Sequence, residues 1–285
     1  MTEAQGGQWG RDGKRKEAAM EASERQFAVV TGASSGIGYE LAKVLAENGY
    51  DLLINAEDAE LAEAETDLRQ SGVEVIAVRA DLAEPSGVEE LYRRIGETGR
   101  PVDVIALNAG IGAGGAFVGD TELAKELKLV DLNVRSTVHL AKLVLSDMVA
   151  RNSGRVLFTS SIASTMPGAF QAVYNASKSF VQSFALAIRN ELKDTEVTIT
   201  SLMPGPTETE FFERADMQDT KVGADEKDDA AEVARQGFEA LMAGEAKVVA
   251  GSFKNKVQVA AGRVLPDGAK AEMHRNMAEP GSAED

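Results

Sequence analysis

The chain has 285 residues, no Cys, two His and a formal charge of −16, from 30 Lys and Arg against 46 Asp and Glu. The absence of Cys excludes a thiol nucleophile, a disulfide and a thiolate metal site, and His139 and His274 alone are too few for a zinc cluster or paired acid–base histidines. The acidic excess argues against nucleic acid and anionic membranes as partners, because both bind Lys- and Arg-rich surfaces. We expect a protein without a metal or a membrane span, and the lack of Cys favours a cytoplasmic location.

The predicted elements begin after a charged, Gly-rich segment, 1–26, whose few apolar residues predict a flexible extension. Short apolar runs then alternate with stretches of helical periodicity. The predicted strands lie at 27–30, 52–54, 73–78, 102–107, 155–159, 196–202 and 247–250. The predicted helices lie at 37–47, 58–70, 88–95, 121–150, 173–193 and 228–243.

Strands that alternate with helices at this spacing predict an α/β fold of the Rossmann type. This fold is a doubly wound parallel sheet, here of about seven strands, with helices on both faces. We predict one domain over 27–253. Residues 254–285 are predicted to form a partly disordered C-terminal tail, with a short helix at 257–265 as one interpretation.

The first candidate site is the sequence TGASSGIG at 31–38, between the first predicted strand and helix. A doubly wound sheet binds a dinucleotide pyrophosphate at this place, where glycines allow close approach and a helix N-terminus offers free N–H groups. The spacing is G-x-x-x-G-x-G and differs from the common G-x-G-x-x-G. Taken alone, it also fits a plain strand–helix turn.

The second candidate site pairs Tyr174 with Lys178, four residues apart on one face of a predicted helix. A free phenol has a pKa of about 10, and a nearby ammonium lowers the pKa of the phenol, so Tyr174 could exchange a proton with an alcohol without any His. Ser161 ends the fifth predicted strand and Asn133 lies within the long helix. Taken singly, these two read as a turn serine and a solvated helix residue.

Together these residues resemble the short-chain dehydrogenase/reductase family, in its shorter single-domain branch, over about 27–250. TGASSGIG resembles the cofactor turn of the family. Asn133, Ser161, Tyr174 and Lys178 match its catalytic tetrad in order and spacing. The cofactor contacts that the resemblance implies are Gly32, Ser34, Ser35, Gly36, Ile37, Gly38, Glu57, Asp81, Leu82, Asn108, Ala109, Gly110, Tyr174, Lys178, Pro204, Gly205 and Thr207.

The resemblance implies an NAD(P)-dependent oxidoreductase that transfers a hydride between a nicotinamide and a ketone or secondary alcohol. In that family Tyr174 would be the general acid/base, and Lys178 would lower its pKa and hold the nicotinamide ribose. Ser161 would orient the substrate oxygen, and Asn133 would bend its helix to seat a water. A non-catalytic dinucleotide sensor and an epimerase-type member of the family are the alternatives.

In this fold the residues just after the second strand contact the 2′ position of the adenosine ribose, so they determine the preference for NAD or NADP. By resemblance, Ala56 stands where NAD-preferring relatives place Asp, Glu57 stands where NADP-preferring relatives place Arg, and Ser35 lacks their basic side chain. Six acids and no base lie between 57 and 67. They would repel a 2′-phosphate, which favours NAD(H) over NADP(H), although the same acids also fit an exposed helix face.

The substrate pocket is expected between Gly110–Gly119, Ile162–Val173 and the loop after Pro204. Ordinary loop packing is an equal alternative for its candidate residues. Acids at the mouth, at Glu208, Glu210 and Glu213, favour a small, neutral and fairly apolar carbonyl or alcohol. The candidate lining residues are Ile162, Met166, Phe170, Gln171, Phe211, Phe212 and Met217.

The resemblance also implies a homodimer or homotetramer, assembled through the helices predicted at 121–150 and 173–193. Both helices carry many apolar residues, including Leu127, Val130 and Phe180. The same residues would equally suit the core of a single chain.

Overall fold

A computed structural model describes residues 25–262 and 265–284. Most of the predicted N-terminal extension, 1–24, lies outside the described residues. Seven strands form one parallel sheet in the order β3-β2-β1-β4-β5-β6-β7, which confirms the doubly wound α/β prediction. The strands are β1 (Phe27–Thr31), β2 (Asp51–Ala56), β3 (Val75–Arg79), β4 (Val104–Leu107), β5 (Gly154–Thr159), β6 (Val197–Pro204) and β7 (Lys247–Ala250).

The six helices predicted between 37 and 243 lie near their predicted positions, within a few residues at each end, whereas two short helices between 211 and 224 were not predicted. The helices between β1 and β5 are α1 (Gly36–Glu47), α2 (Leu61–Leu68), α3 (Pro85–Glu97), α4 (Leu123–Val130) and α5 (Thr137–Ala150). The helices after β5 are α6 (Ala172–Glu191), α7 (Phe211–Arg214), α8 (Lys221–Ala224), α9 (Ala230–Met242), α10 (Phe253–Gly262) and α11 (Asp267–Ala278). None of the helices in the described part of the chain is long and apolar enough to cross a membrane.

The strands are buried on both faces because helices cover both sides of the sheet. Along β1, Phe27 and Val29 join one apolar cluster and Ala28 and Val30 join the other, as the two-residue period of a strand requires. The first cluster includes residues of α3, α5 and α6, and the second includes residues of α1, α2 and α9. The helices leave the carboxyl ends of the strands uncovered, and loops meet there.

The helix predicted at 121–150 is interrupted by a π-helical turn at Asp131–Ser136, between α4 and α5. Such turns are rare and concentrate at functional sites. This one contains Asn133, whose side chain is buried. The resemblance implied a bend at Asn133, and the helical hydrogen-bond pattern changes there.

The prediction of a partly disordered C-terminal tail needs correction. Over its described residues the segment forms α10, α11 and a 3₁₀ turn at Ser282–Glu284. Val259, His274 and Ala278 are buried. The short helix considered at 257–265 overlaps α10, whereas α11 was not predicted because its sequence has few apolar residues.

Leu53, in β2, is fully buried in the first apolar cluster. We expect Leu53→Ala to lower the free energy of unfolding by about 2–5 kcal/mol, through lost burial and the cavity left behind. Val118→Ala is the matched control, because Val118 is 87% exposed and its truncation should change stability by less than about 0.5 kcal/mol. Chemical denaturation of both variants measures the difference, and equal losses would contradict the assigned core.

Candidate active site

The loops at the carboxyl ends of the strands enclose a cavity of about 350 Å³. Its wall runs from the turn after β1, past the ends of β2, β4 and β5, to the segment after β6. Every residue that the resemblance implied as a cofactor contact lines this cavity. Asn133 lies behind the wall.

The turn after β1 admits only glycine at two places. Gly32 has φ of +65°, and a Cβ at Gly38 would lie 1.8 Å from the Gly32 carbonyl oxygen. The close approach presses the start of α1 against the end of β1. No side chain caps α1 at its N-cap, Ser35, so its first N–H groups are free to meet an anion. The turn therefore fits a dinucleotide pyrophosphate.

Asn108 joins the ends of three neighbouring strands. Its Nδ2 donates to the carbonyl oxygen of Thr31 at 3.1 Å, and its Oδ1 accepts from Thr159 Oγ1 at 3.0 Å. Thr31 Oγ1 in turn accepts the N–H groups of Asn108 and Ala109, both at 3.0 Å. Thr31 and Thr159 were not among the predicted site residues, since a threonine at a strand end carries no signal of its own.

Asn133 connects the loop after β4 to helix α6. Its amide forms two 2.9 Å hydrogen bonds with the backbone of Ile111 and donates to Ser177 Oγ at 3.1 Å. A Cβ at Gly110 would lie 3.1 Å from Asn133 Oδ1 and 3.2 Å from Lys178 Nζ. The π-helical turn thus brings Asn133 close to Lys178 and fixes the cavity wall between them.

Tyr174, Lys178 and Ser161 meet at the centre of the cavity wall. Ser161 Oγ donates to the carbonyl oxygen of Pro204 at 3.4 Å, and the Ser161 side chain lowers the pKa of Tyr174. Lys178 Nζ donates to the carbonyl oxygen of Thr159 at 2.9 Å and lies 5.9 Å from the centroid of the Tyr174 ring. Ser161 Oγ also accepts the Ala163 N–H at 3.1 Å. The structure therefore brings together the predicted tyrosine, lysine and serine.

The electrostatics of this pair differ from the sequence argument. Burial raises the pKa of Tyr174 to about 12, and the hydrogen bond from Ser161 lowers it only in part. Burial also lowers the pKa of Lys178 to about 8. The sequence argument assigned the lowering of the Tyr174 pKa to Lys178, whereas in the structure burial dominates and the lowering contribution comes from Ser161. At pH 7 the phenol is protonated and can act as a proton donor.

The substrate side of the cavity is lined by five of the seven predicted residues, namely Ile162, Met166, Gln171, Phe211 and Phe212. The Phe211 and Tyr174 ring centroids are 5.2 Å apart. Phe170 and Met217 instead pack behind the wall in a cluster with Ala278. Phe170 has φ of +62°, and its ring lies 4.9 Å from the Arg275 guanidinium carbon. The turn geometry directs this side chain away from the cavity.

The segment after β6 is held by a network that the sequence did not reveal. The backbone of Asp228 forms two hydrogen bonds with this segment. The Asp228 N–H donates to the Pro206 carbonyl oxygen, and the Glu208 N–H donates to the Asp228 carbonyl oxygen, both at 2.8 Å. Its carboxylate accepts from Asn255 Nδ2 at 2.6 Å and from the Ser252 N–H at 2.8 Å. A Cβ at Gly205 would lie 2.2 Å from Asn255 Nδ2. The start of α10 therefore supports the loop that forms this end of the cavity.

A lysine from α4 reaches the acids at the ends of β2 and β3. Lys128 Nζ lies 3.0 Å from Glu57 Oε2 and 3.4 Å from Asp81 Oδ2. The hydrogen bond with Glu57 raises the pKa of Lys128. Asp58 accepts from Ser34 Oγ at 2.8 Å, and its other carboxylate oxygen is buried without a hydrogen-bond partner within the described residues. Lys128 comes from a distant stretch of sequence, which is why the local charge count missed it.

Known proteins resemble this chain over most of its length. The model of the short chain dehydrogenase family matches residues 26–220. The NADP-dependent 3-hydroxy acid dehydrogenase YdfG of Salmonella typhi is 30% identical over 179 residues, which cover 63% of this chain and 71% of the relative.

Two solved structures are similar over most of the chain. A short-chain dehydrogenase/reductase of Burkholderia phymatum in complex with NAD has a TM-score of 0.78 and 26% identity, covering 90% of this chain and 97% of that one. A short-chain dehydrogenase of Sphingobium yanoikuyae in complex with NADPH has a TM-score of 0.75 and 27% identity, covering 88% and 96%. The chain belongs to the short-chain dehydrogenase/reductase family and is an NAD(P)-dependent oxidoreductase.

Proposed function

We propose that this enzyme interconverts a neutral, fairly apolar ketone and the corresponding secondary alcohol, with Tyr174 as the group that moves the proton. The observation that carries the proposal is that Tyr174, Ser161 and Lys178 line the same cavity, with Lys178 Nζ 5.9 Å from the centroid of the Tyr174 ring. When bound, the nicotinamide supplies or accepts the hydride.

In this mechanism Tyr174 donates its phenolic proton to the oxygen that becomes the alcohol, and Ser161 holds the same oxygen in position. The high pKa of Tyr174 keeps its proton in place at neutral pH, which suits the reduction of a ketone. Lys178 stabilises the phenolate left behind, and the bond from Lys178 Nζ to Thr159 O fixes the ammonium there. Asn133 acts as a positioning residue through Ile111 and Ser177. It is also proposed to seat a water next to Lys178.

The charges around the substrate end favour a neutral substrate. Glu210, Asp225 and Glu226 line the cavity, and the Arg214 side chain, which also lines it, is paired with Glu210. The YdfG relative is named for a 3-hydroxy acid. In this chain the acids would repel a substrate carboxylate, so we propose a ketone without an anionic group.

Tyr174→Phe tests the mechanism. We expect turnover to fall by at least a hundredfold, because the acid is lost, while dinucleotide binding stays near wild type. Initial rates with a panel of ketones and alcohols, followed through nicotinamide absorbance, give the first quantity, and calorimetry gives the second. A wild-type protein that binds the dinucleotide but turns over no compound would favour the non-catalytic sensor. Cofactor-dependent isomerisation of a sugar nucleotide without net oxidation would favour an epimerase.

We propose that NAD(H) is preferred over NADP(H). Glu57 and Asp58 line the cavity just after β2, and the charge of Lys128 is already shared between Glu57 and Asp81. A 2′-phosphate at this end would add a dianion beside the carboxylates of Glu57, Asp58 and Asp81. Lys128 is already paired with two of them, and the Arg79 guanidinium donates to the Glu57 carbonyl oxygen at 2.9 Å. Free ribose hydroxyls would instead find acceptors there. YdfG is named as NADP-dependent and the two similar structures hold NAD and NADPH, so the family itself leaves the choice open.

Kinetics with both cofactors test this preference. We expect the KM for NADH to be at least tenfold below the KM for NADPH. Glu57→Gln should bring the two KM values closer together, because one repulsive charge is lost. Glu63→Gln removes an acid from the exposed face of α2, away from the cavity, and should leave the ratio unchanged. A lower KM for NADPH in the wild type would overturn the preference.

We propose that the enzyme is a homo-oligomer whose contact includes α4 and α6, in agreement with the sequence expectation of a homodimer or homotetramer. Phe117, Leu127, Val130 and Phe180 are large apolar side chains that remain exposed. Phe117, Val130 and Phe180 line a shallow groove together with Val173. An exposed apolar patch of this kind is typical of an interface between proteins. The cytoplasmic location stays a prediction from composition.

Analytical ultracentrifugation tests the assembly. We expect the wild type to sediment as a dimer or tetramer and Leu127→Glu to shift it toward the monomer, since a buried carboxylate at the contact is costly. Val149→Glu, on an exposed position of α5 outside the groove, is the matched control and should not change the sedimentation. A monomeric wild type at micromolar concentration would contradict the proposal.

A further inference from the structure

Helix α11 is anchored over the substrate end of the cavity. Just beyond its end, the N–H groups of Gly281 and Ala283 donate to Asp219, to the carboxylate and the carbonyl respectively, both at 3.0 Å. The N–H of Lys221 donates to Ser282 Oγ at 2.9 Å. Ala278 is buried in the cluster behind Phe212. The helix is thus fastened to the segment between β6 and α9, and the side chains that it presents to the cavity have fixed positions.

His274 of α11 is one of those side chains. The residue is 6% exposed and lines the same cavity as Tyr174. Its Nδ1 lies 2.9 Å from the carbonyl oxygen of Ala169. A carbonyl can only accept, so Nδ1 carries the proton of this bond, and in the neutral ring Nε2 is left as an acceptor. Burial lowers the pKa of His274 below its ordinary value, which keeps the ring neutral at pH 7.

Nε2 makes no hydrogen bond with residues 25–262 and 265–284, where the bond to Ala169 is the only hydrogen bond of the ring. Nε2 is not among the fully buried unpaired atoms of these residues, so the atom retains some solvent access, and His274 lines the cavity. Met277, three residues along the same helix, lines the cavity too. An acceptor in this position gains a hydrogen bond when a ligand brings a donor to it.

Resting on the proposed function, we propose that His274 binds a second polar group of the substrate, a hydroxyl or N–H remote from the reacting carbonyl. The preferred substrate class is then a hydroxy ketone, or the diol that corresponds to it, with an apolar skeleton between the two groups. Tyr174 would serve the reacting oxygen and His274 the remote donor, so the C-terminal helix takes part in substrate choice.

Two pairs of matched ketones test this role, and the pairs differ in the distance between the carbonyl and the hydroxyl group. One pair is 4-hydroxycyclohexanone with 4-methoxycyclohexanone, and the other is 4-(4-hydroxyphenyl)butan-2-one with its methoxy analogue. Methylation removes the donor and keeps the skeleton. For at least one pair we expect the wild type with NADH bound to favour the hydroxyl compound about three- to tenfold, both in kcat/KM and in Kd by calorimetry, which is the effect of one neutral hydrogen bond.

Substitutions at His274 and at the next residue test whether the His274 ring causes the preference for the hydroxyl compound. His274→Leu should bring the ratio of kcat/KM for the hydroxyl compound to kcat/KM for its methoxy analogue close to one. His274→Gln should retain most of it, because the amide can donate to Ala169 and still accept. Arg275→Gln, which alters the neighbouring residue on α11 outside the cavity lining, is the matched control and should keep the wild-type ratio.

The outcomes separate this inference from the proposed function. Equal binding of both members of each pair by the wild type would overturn the role of His274, and so would an unchanged ratio in a folded His274→Leu protein. Selective binding of a hydroxyl compound that depends on His274, without turnover of any ketone, would support this role and overturn the proposed function. The wild-type ratio needs no variant, so misfolding of His274→Leu cannot leave the question open.

Discussion

The hydrogen bonds of the Asn108 side chain hold together the strand ends around which the rest of the site is arranged. Asn108 follows β4, its amide nitrogen holds the end of β1, and its amide oxygen is held by Thr159 at the end of β5. The carbonyl of Thr159 then accepts from Lys178, which lies beside Tyr174. One amide side chain therefore links the glycine turn at one end of the cavity to Lys178 and Tyr174 at its centre. The helices that carry these groups are distant in sequence, and their relative positions depend on this link.

Burial around Tyr174 and Lys178 has a chemical consequence. It opposes the charged form of both side chains, raising the pKa of the phenol to about 12 and lowering that of the ammonium to about 8. The two effects keep the tyrosine protonated and leave the lysine only modestly in favour of its cation at neutral pH. A site of this kind is prepared to give a proton. The oxidative direction would require the phenolate, which becomes more accessible as the pH rises.

The two ends of the cavity are controlled by segments that the family motifs do not include. At the ribose end, Lys128 of α4 compensates part of the negative charge of Glu57 and Asp81. At the substrate end, α10 supports the loop after β6 through Asn255, and α11 contributes His274 to the wall. Under the proposals above, cofactor choice and substrate choice depend on groups outside the family motifs.

The sequence by itself determined the α/β fold, the approximate position of each strand, the glycine turn and the four catalytic candidates. These features are local: a run of apolar residues, a period of 3.6 or 2, or a motif of fixed spacing is complete within one stretch of chain. The tertiary structure decided the rest. It showed that burial dominates the pKa of Tyr174, that Lys128 meets Glu57 across 71 positions, and that the described part of the C-terminal segment folds into helices beside the cavity. The physical reason is that desolvation and long-range pairing depend on which surfaces meet in space, and no periodicity along the chain records that.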